Sequence, residues 1–214
     1  GNSAAFDLTF TPATPGSHSA LITIGNDDSD ENPYTFAVAG TGQTAVSGRI
    51  IWENDGISGV GNATVNLTGT GTGNDLTDSN GDYLIPTVPA SGNFTVKPVK
   101  NINKLNGVTT GDVTAIHRHV GNATLLPGPF KRIAADVNKS NTITSFDASL
   151  VNLAILANPQ ALNQITSWRF VPASYTFLNP NAPWGFPEQI VLTGAGGNIS
   201  GQDFKGVKLG DVVE

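Results

Sequence analysis

The chain has 214 residues with 25 Gly, 13 Pro, only 13% charged residues and a net charge of −6. That composition describes a loop-rich, mainly β protein, and the lack of any basic cluster argues against a nucleic-acid partner. Cys and Met are both absent, which excludes disulfides and thiol chemistry and leads us to expect a processed or excised piece of a longer polypeptide.

Residues 1–42 alternate as half-buried strands do. Phe6, Leu8 and Phe10 mark one expected strand, Ala20, Ile22 and Ile24 a second, and Tyr34, Phe36 and Val38 a third. Pro12 and Pro15-Gly16 punctuate the first turn. Three strands cannot bury a sandwich core alone, so residues 1–43 are expected to finish a domain that starts upstream. The acidic run Asp27, Asp28, Asp30, Glu31 fits no ligand frame and reads as a solvated hairpin loop.

Residues 46–98 form a second β unit, with strands expected at 46–52, 63–68, 82–85 and 93–98. Inside it, Asp78, Asn80 and Asp82 could approach a cation, but no later bidentate carboxylate follows them. A tight turn closed by Gly81 is the expected reading.

The most informative stretch is 136–147, Asp-Val-Asn-Lys-Ser-Asn-Thr-Ile-Thr-Ser-Phe-Asp. Asp136, Asn138, Ser140, Thr144 and Asp147 place side-chain oxygens at positions 1, 3, 5, 9 and 12 of a calcium-loop frame. Thr142 at position 7 offers its carbonyl. A hard cation needs about six or seven converging oxygens, which ligands at alternating positions of a tight loop supply. Asn141 stands at position 6 where Gly is usual, a tolerable choice because Asn enters the left-handed region readily. The competing reading is a plain Asx turn before a helix capped by Ser145.

The same frame occurs 35 residues upstream without a gap, as Asn101, Asn103, Leu105, Gly107, Thr109 and Asp112. Leu105 and Gly107 could give only backbone carbonyls, and one carboxylate remains, so weaker binding is expected there. Apolar-periodic runs follow both loops, Val113, Ile116, Val120 and then Leu150, Leu153, Ile155, Leu156, so each loop should lead into a helix. His117 and His119 are two residues apart on the first helix, hence on nearly opposite faces. One is expected to pack and the other to be solvated.

From residue 159 the chain changes character. Trp168, Phe170, Tyr175, Phe177, Trp184 and Phe186 interleave with Pro172, Pro180, Pro183 and Pro187. This reads as an extended aromatic, Pro-rich segment over 159–214 packing on neighbouring modules, and, if exposed, as a glycan-stacking platform. No G-x-S-x-G, H-E-x-x-H or phosphate-cradling Gly loop exists, so the chain reads as non-enzymatic.

Two loop–helix units with Asp at position 12, over 99–158, resemble a type I dockerin, a calcium-folded module that binds cohesin domains. The resemblance implies calcium as the cofactor and Thr110, Gly111, Ser145 and Phe146 as partner-facing residues. The stretch VSGRIIWENDGISGVGNATVNLTG with TDSNGDYLIPTVPASGNFTVKP resembles the SdrD B-type and carboxypeptidase-regulatory-like sandwiches. Residues 1–43 resemble the end of an immunoglobulin-like choice-of-anchor D domain. The dockerin-like region with SWRFVPASYTFLNPNAPWGFPEQIVLTG and VKLGDV is similar to a unit of large type IX-secreted bacterial surface proteins. The implied fold is mainly β with a small α module: immunoglobulin-like sandwich units, then the loop–helix pair, then the extended C-terminal segment. The implied role is a structural segment of an extracellular or outer-surface adhesin, stalk or filament, with other modules of the same polypeptide as partners. Docking onto a cohesin-like domain, or glycan binding beside a secreted enzyme, is the alternative.

Overall fold

The computed structural model describes residues 5–10, 16–27, 30, 32–42, 44–87 and 91–213. Strands β1 (Gly16–Ile24) and β2 (Tyr34–Gly42) form an antiparallel hairpin, in register from Gly16 opposite Gly42 to Ile24 opposite Tyr34. Residues 5–10, where Phe6, Leu8 and Phe10 mark the first expected strand, form none. Alternation is not enough to make a strand; a free edge must be met. Here Phe10 lies across the hairpin face instead, its ring 2.9 Å from where a Cβ on Gly40 would stand. Of the acidic run, Asp28 and Glu31 lie outside the described residues.

Five strands follow: β3 (Thr44–Trp52), β4 (Thr64–Gly69), β5 (Gly73–Leu76), β6 (Asp82–Thr87) and β7 (Ser91–Val99). Three more arrive after a helical stretch: β8 (Trp168–Pro172), β9 (Ile190–Gly196) and β10 (Phe204–Lys208). Together they make two four-stranded sheets, ordered β6-β3-β10-β8 and β5-β4-β7-β9. Val46, Ile50, Val65, Leu67, Ile85, Phe94, Val96, Phe170 and Phe204 fill the space between them. Inward side chains from both layers interdigitate as in a sandwich.

This corrects the expectation for residues 159–214. They are not solely an extended wrap but supply three of the eight sandwich strands. Strand β10 inserts between β3 and β8, parallel to the first with Phe204 opposite Ile50, and antiparallel to the second. Strand β9 borders β7 in the other sheet. The chain therefore leaves the sandwich after Val99, builds helices, and returns to complete it.

The excursion holds α1 (Thr110–Val120), α2 (Gly128–Ala135), α3 (Ser145–Ile155) and α4 (Pro159–Gln164). Helices α1 and α3 follow the two loops as expected, while α2 and α4 were not anticipated. Successive residues of a strand point to opposite faces, and β8 uses both. Phe170 enters the sandwich core, whereas Val171 joins a second core with Ile116, Ile133, Leu150 and Val151. Val207 and Leu209 join it too. One sheet thus has a second sheet on one side and helices on the other. Tyr175, Phe177 and Trp184 pack against the helical core, with Phe177 edge-on to Phe130 and Tyr175. Among the described residues no helix is long and apolar enough to cross a membrane.

The 77–83 stretch forms the expected tight turn. Asp78 spends one oxygen on the backbone N–H groups of Asn80 and Asp82, at 2.8 and 2.9 Å. Gly81 sits at φ +80, and a Cβ there would lie 2.1 Å from the Ile50 carbonyl oxygen. Gly81→Ala combines a left-handed φ with a backbone clash, so a loss of about 2 kcal/mol or more is expected in urea unfolding. An unchanged midpoint would contradict this.

Candidate metal centre

The 136–147 loop has the backbone its composition allows. Lys139 and Asn141 both adopt left-handed φ, 61 and 64. This turns the chain tightly enough for the Asp136 carboxylate to accept the amides of Ser140 and Asn141, each at 2.8 Å. The Asn138 side chain accepts Ser140 N–H at 3.0 Å, and the Ser140 hydroxyl reaches the Thr142 carbonyl at 3.2 Å. Asp136, Asn138, Ser140 and Thr142 are therefore brought together.

Thr144, not Ser145, caps α3. Its side chain accepts Phe146 N–H, while one Asp147 oxygen accepts the Thr144 N–H and hydroxyl at 2.9 and 3.1 Å. This reciprocal capping box is worth about 1 kcal/mol per satisfied end. The second Asp147 oxygen is different. It is buried and has no hydrogen-bond partner at all. Asp136 and Asp147 are both fully buried, and close enough to repel. Burial first, then Asp147, pushes the Asp136 carboxyl above its ordinary range; the two loop amides and Arg169 oppose this. Arg169 donates through Nε and Nη2 to Glu188, and its buried Nη1 has no hydrogen-bond partner. Two buried carboxylates, one with an unmatched oxygen, ask for a positive charge. Donor chemistry here is all oxygen, as a hard divalent cation requires. Among the described residues no three His, Cys, Asp or Glu side chains gather, so amide, hydroxyl and carbonyl oxygens must complete such a shell.

The upstream loop is built otherwise. Its left-handed residues are Asn103 and Gly107, at positions 3 and 7 rather than 4 and 6. Asn101 accepts the Ser167 amide at 3.0 Å instead of gathering amides of its own loop. Thr109 and Asp112 repeat the capping box at 2.8 and 2.9 Å. The other Asp112 oxygen, however, is taken. It accepts the backbone N–H groups of Val212 and Val213, at 2.7 and 2.9 Å. Leu105 packs on the helical core.

Sequence reasoning missed the residues that crowd this second place. Lys208, almost fully buried, donates to the Lys104 carbonyl at 2.5 Å and to that of Leu209 at 3.3 Å. Burial, helped by Lys100, lowers its ammonium to about 8, while Asp211 and Asp112 pull the other way. Burial and then Asp112 raise the Asp211 carboxyl to about 6. One oxygen of that carboxylate lies 2.6 Å from a Cβ built on Gly107, whose φ of +81 favours glycine. No local motif could have revealed these contacts.

Thr110, Gly111, Ser145 and Phe146 all lie on the exposed faces of the helix starts, and Phe146 is 51% exposed. His119 accepts the Leu126 amide through Nδ1, and His117 is exposed, matching the one-packed, one-solvated reading. The aromatic rings at 175–186 pack on one another instead of forming an open row. No protein-family model, curated protein or solved structure matches the chain.

Proposed function

We propose that the chain is a non-catalytic, calcium-stabilised structural segment of a secreted or cell-surface bacterial protein such as an adhesin, stalk or filament. The carrying observation is the unmatched Asp147 oxygen, buried beside Asp136 in a loop of oxygen donors. Asp136, Asn138, Ser140, the Thr142 carbonyl, Thr144 and Asp147 would hold the ion. Calcium bound there stabilises the fold and activates no water. The site's place supports a structural role: its helix shares one core with β8 and β10 of the sandwich. Resemblance to dockerin-like units, carried by the paired loops, points to the same cofactor and to an extracellular setting.

Docking onto a cohesin-like partner is the second reading, favoured by one observation. Phe146, Leu153 and Leu156 are all exposed along α3. A pull-down with immobilised cohesin domains separates the two readings.

Melting in calcium and in chelator tests the metal. An ion that binds only the folded state at a hundredfold its Kd adds about 2.7 kcal/mol. For a chain of this size that is a rise of roughly 5–10 °C. Equal melting temperatures would remove calcium from the reading.

A further inference from the structure

The two loops share a frame, a capping box and a buried Asp at position 12, yet the second oxygen of that Asp meets different surroundings in each. Asp147 leaves an oxygen unmatched, whereas the corresponding Asp112 oxygen receives two backbone N–H groups from the C-terminal strand's continuation. Beside them the Lys208 ammonium is bound to the carbonyl of Lys104, position 4 of the same loop. Asp211 leans over Gly107, position 7. The Asn101 side chain, which would face a metal from position 1, is committed to Ser167.

We infer that the upstream loop takes no metal and is filled from within: residues 208–213 are its resident ligand, the Val212 and Val213 amides donating to Asp112 and the Lys208 ammonium donating to the Lys104 carbonyl. This rests on reading the 136–147 loop as the calcium site, and it fixes the stoichiometry at one ion per chain. A covalently tethered donor set costs no ion and cannot be chelated. It also locks the end of β10 onto α1 whatever the calcium level. The charge logic is the same in both loops. A buried carboxylate needs donors, and N–H groups aimed at an anion give short, strong bonds.

Asn at position 12 separates the cases. A carboxamide has one acceptor oxygen and one donor nitrogen. In Asp112→Asn the nitrogen must face either the Thr109 donors or the Val212 and Val213 amides, so one set is lost. In Asp147→Asn the nitrogen can take the unmatched position, where it disturbs no protein bond but cannot hold calcium. Asp112→Asn should therefore lower the melting temperature by about 5 °C or more, equally in calcium and in chelator. Asp147→Asn should lower it in calcium alone. A cost of Asp112→Asn that appears only in calcium, or no cost in either, overturns the inference. Identical behaviour of Asp147→Asn in both media instead defeats the calcium reading and with it the count of one ion, but leaves the internally filled upstream loop standing. Should Asp112→Asn not fold, Lys208→Met removes only the ammonium and is scored by the same pair of melts. Native mass spectrometry of the unaltered chain with calcium gives an independent count, and two bound ions overturn the inference.

Discussion

Phe204→Ala is expected to lower the melting temperature of the unit formed by residues 44–213 by about 10 °C, in one transition seen by every probe. Phe204 is among the largest fully buried side chains and stands on β10, between β3 and β8. Truncating a buried Phe typically costs about 3–5 kcal/mol, through lost transfer energy and the cavity left behind. At roughly 2–4 °C per kcal/mol for chains of this length, the shift is large. The single transition follows from the strand's two faces. Phe204 belongs to the sandwich core, whereas Val207, three residues on, belongs to the helical core. Loosening β10 therefore loosens both. Near-ultraviolet dichroism and α-helical ellipticity should fall together. Separate midpoints, with the helices outlasting the sheet, would show the two cores to be independent.

Asp136→Ala is expected to erase the calcium-dependent rise, bringing a difference of roughly 5–10 °C to zero. In calcium the variant loses a charged ligand at position 1. In chelator two effects oppose each other. The amides of Ser140 and Asn141 lose their acceptor, but a buried carboxylate beside Asp147 also disappears. The chelator melting temperature should thus move much less than the calcium one. Calorimetric titration of the variant should give no binding heat; a full-sized rise with calcium would place the ion elsewhere.

Local features of this fold were legible before the structure, and non-local ones were not. The paired frames, the two helices behind them and four sandwich strands are written in spacing and alternation over a dozen residues or fewer. The tight turn at Gly81 is of the same kind. Strand β5 escaped because Gly73-Asn74-Asp75-Leu76 carries no apolar alternation; it is held by its ladder to β4. Strands β8 and β10 escaped because both of their faces are covered, which removes the alternation that marks a half-buried strand. At the candidate site, the oxygen frame could be read from residue types, but its asymmetry could not. What separates Asp112 from Asp147 is a pair of backbone amides a hundred residues away along the chain. Backbone donors have no sequence signature. Lys208 and Asp211 likewise come to the upstream loop only once β10 is inserted into the sheet.

The parallel pairing of β3 with the returning chain sets how the sandwich carries tension. From Ala45 to Glu53 the two run side by side, joined by Ser47 N–H to the Ile199 carbonyl, Gln202 N–H to that of Ser47, and Glu53 N–H to that of Gly206. A pull on Thr44 against Lys208 acts at opposite ends of neighbouring parallel strands. It loads these bonds together, in shear, instead of opening them one after another as a zipper does. The helical excursion leaves at Val99 and returns at Trp168, so it hangs off the line of force. Stretching the protein between those points would have to slide β10 past β3, breaking these bonds together.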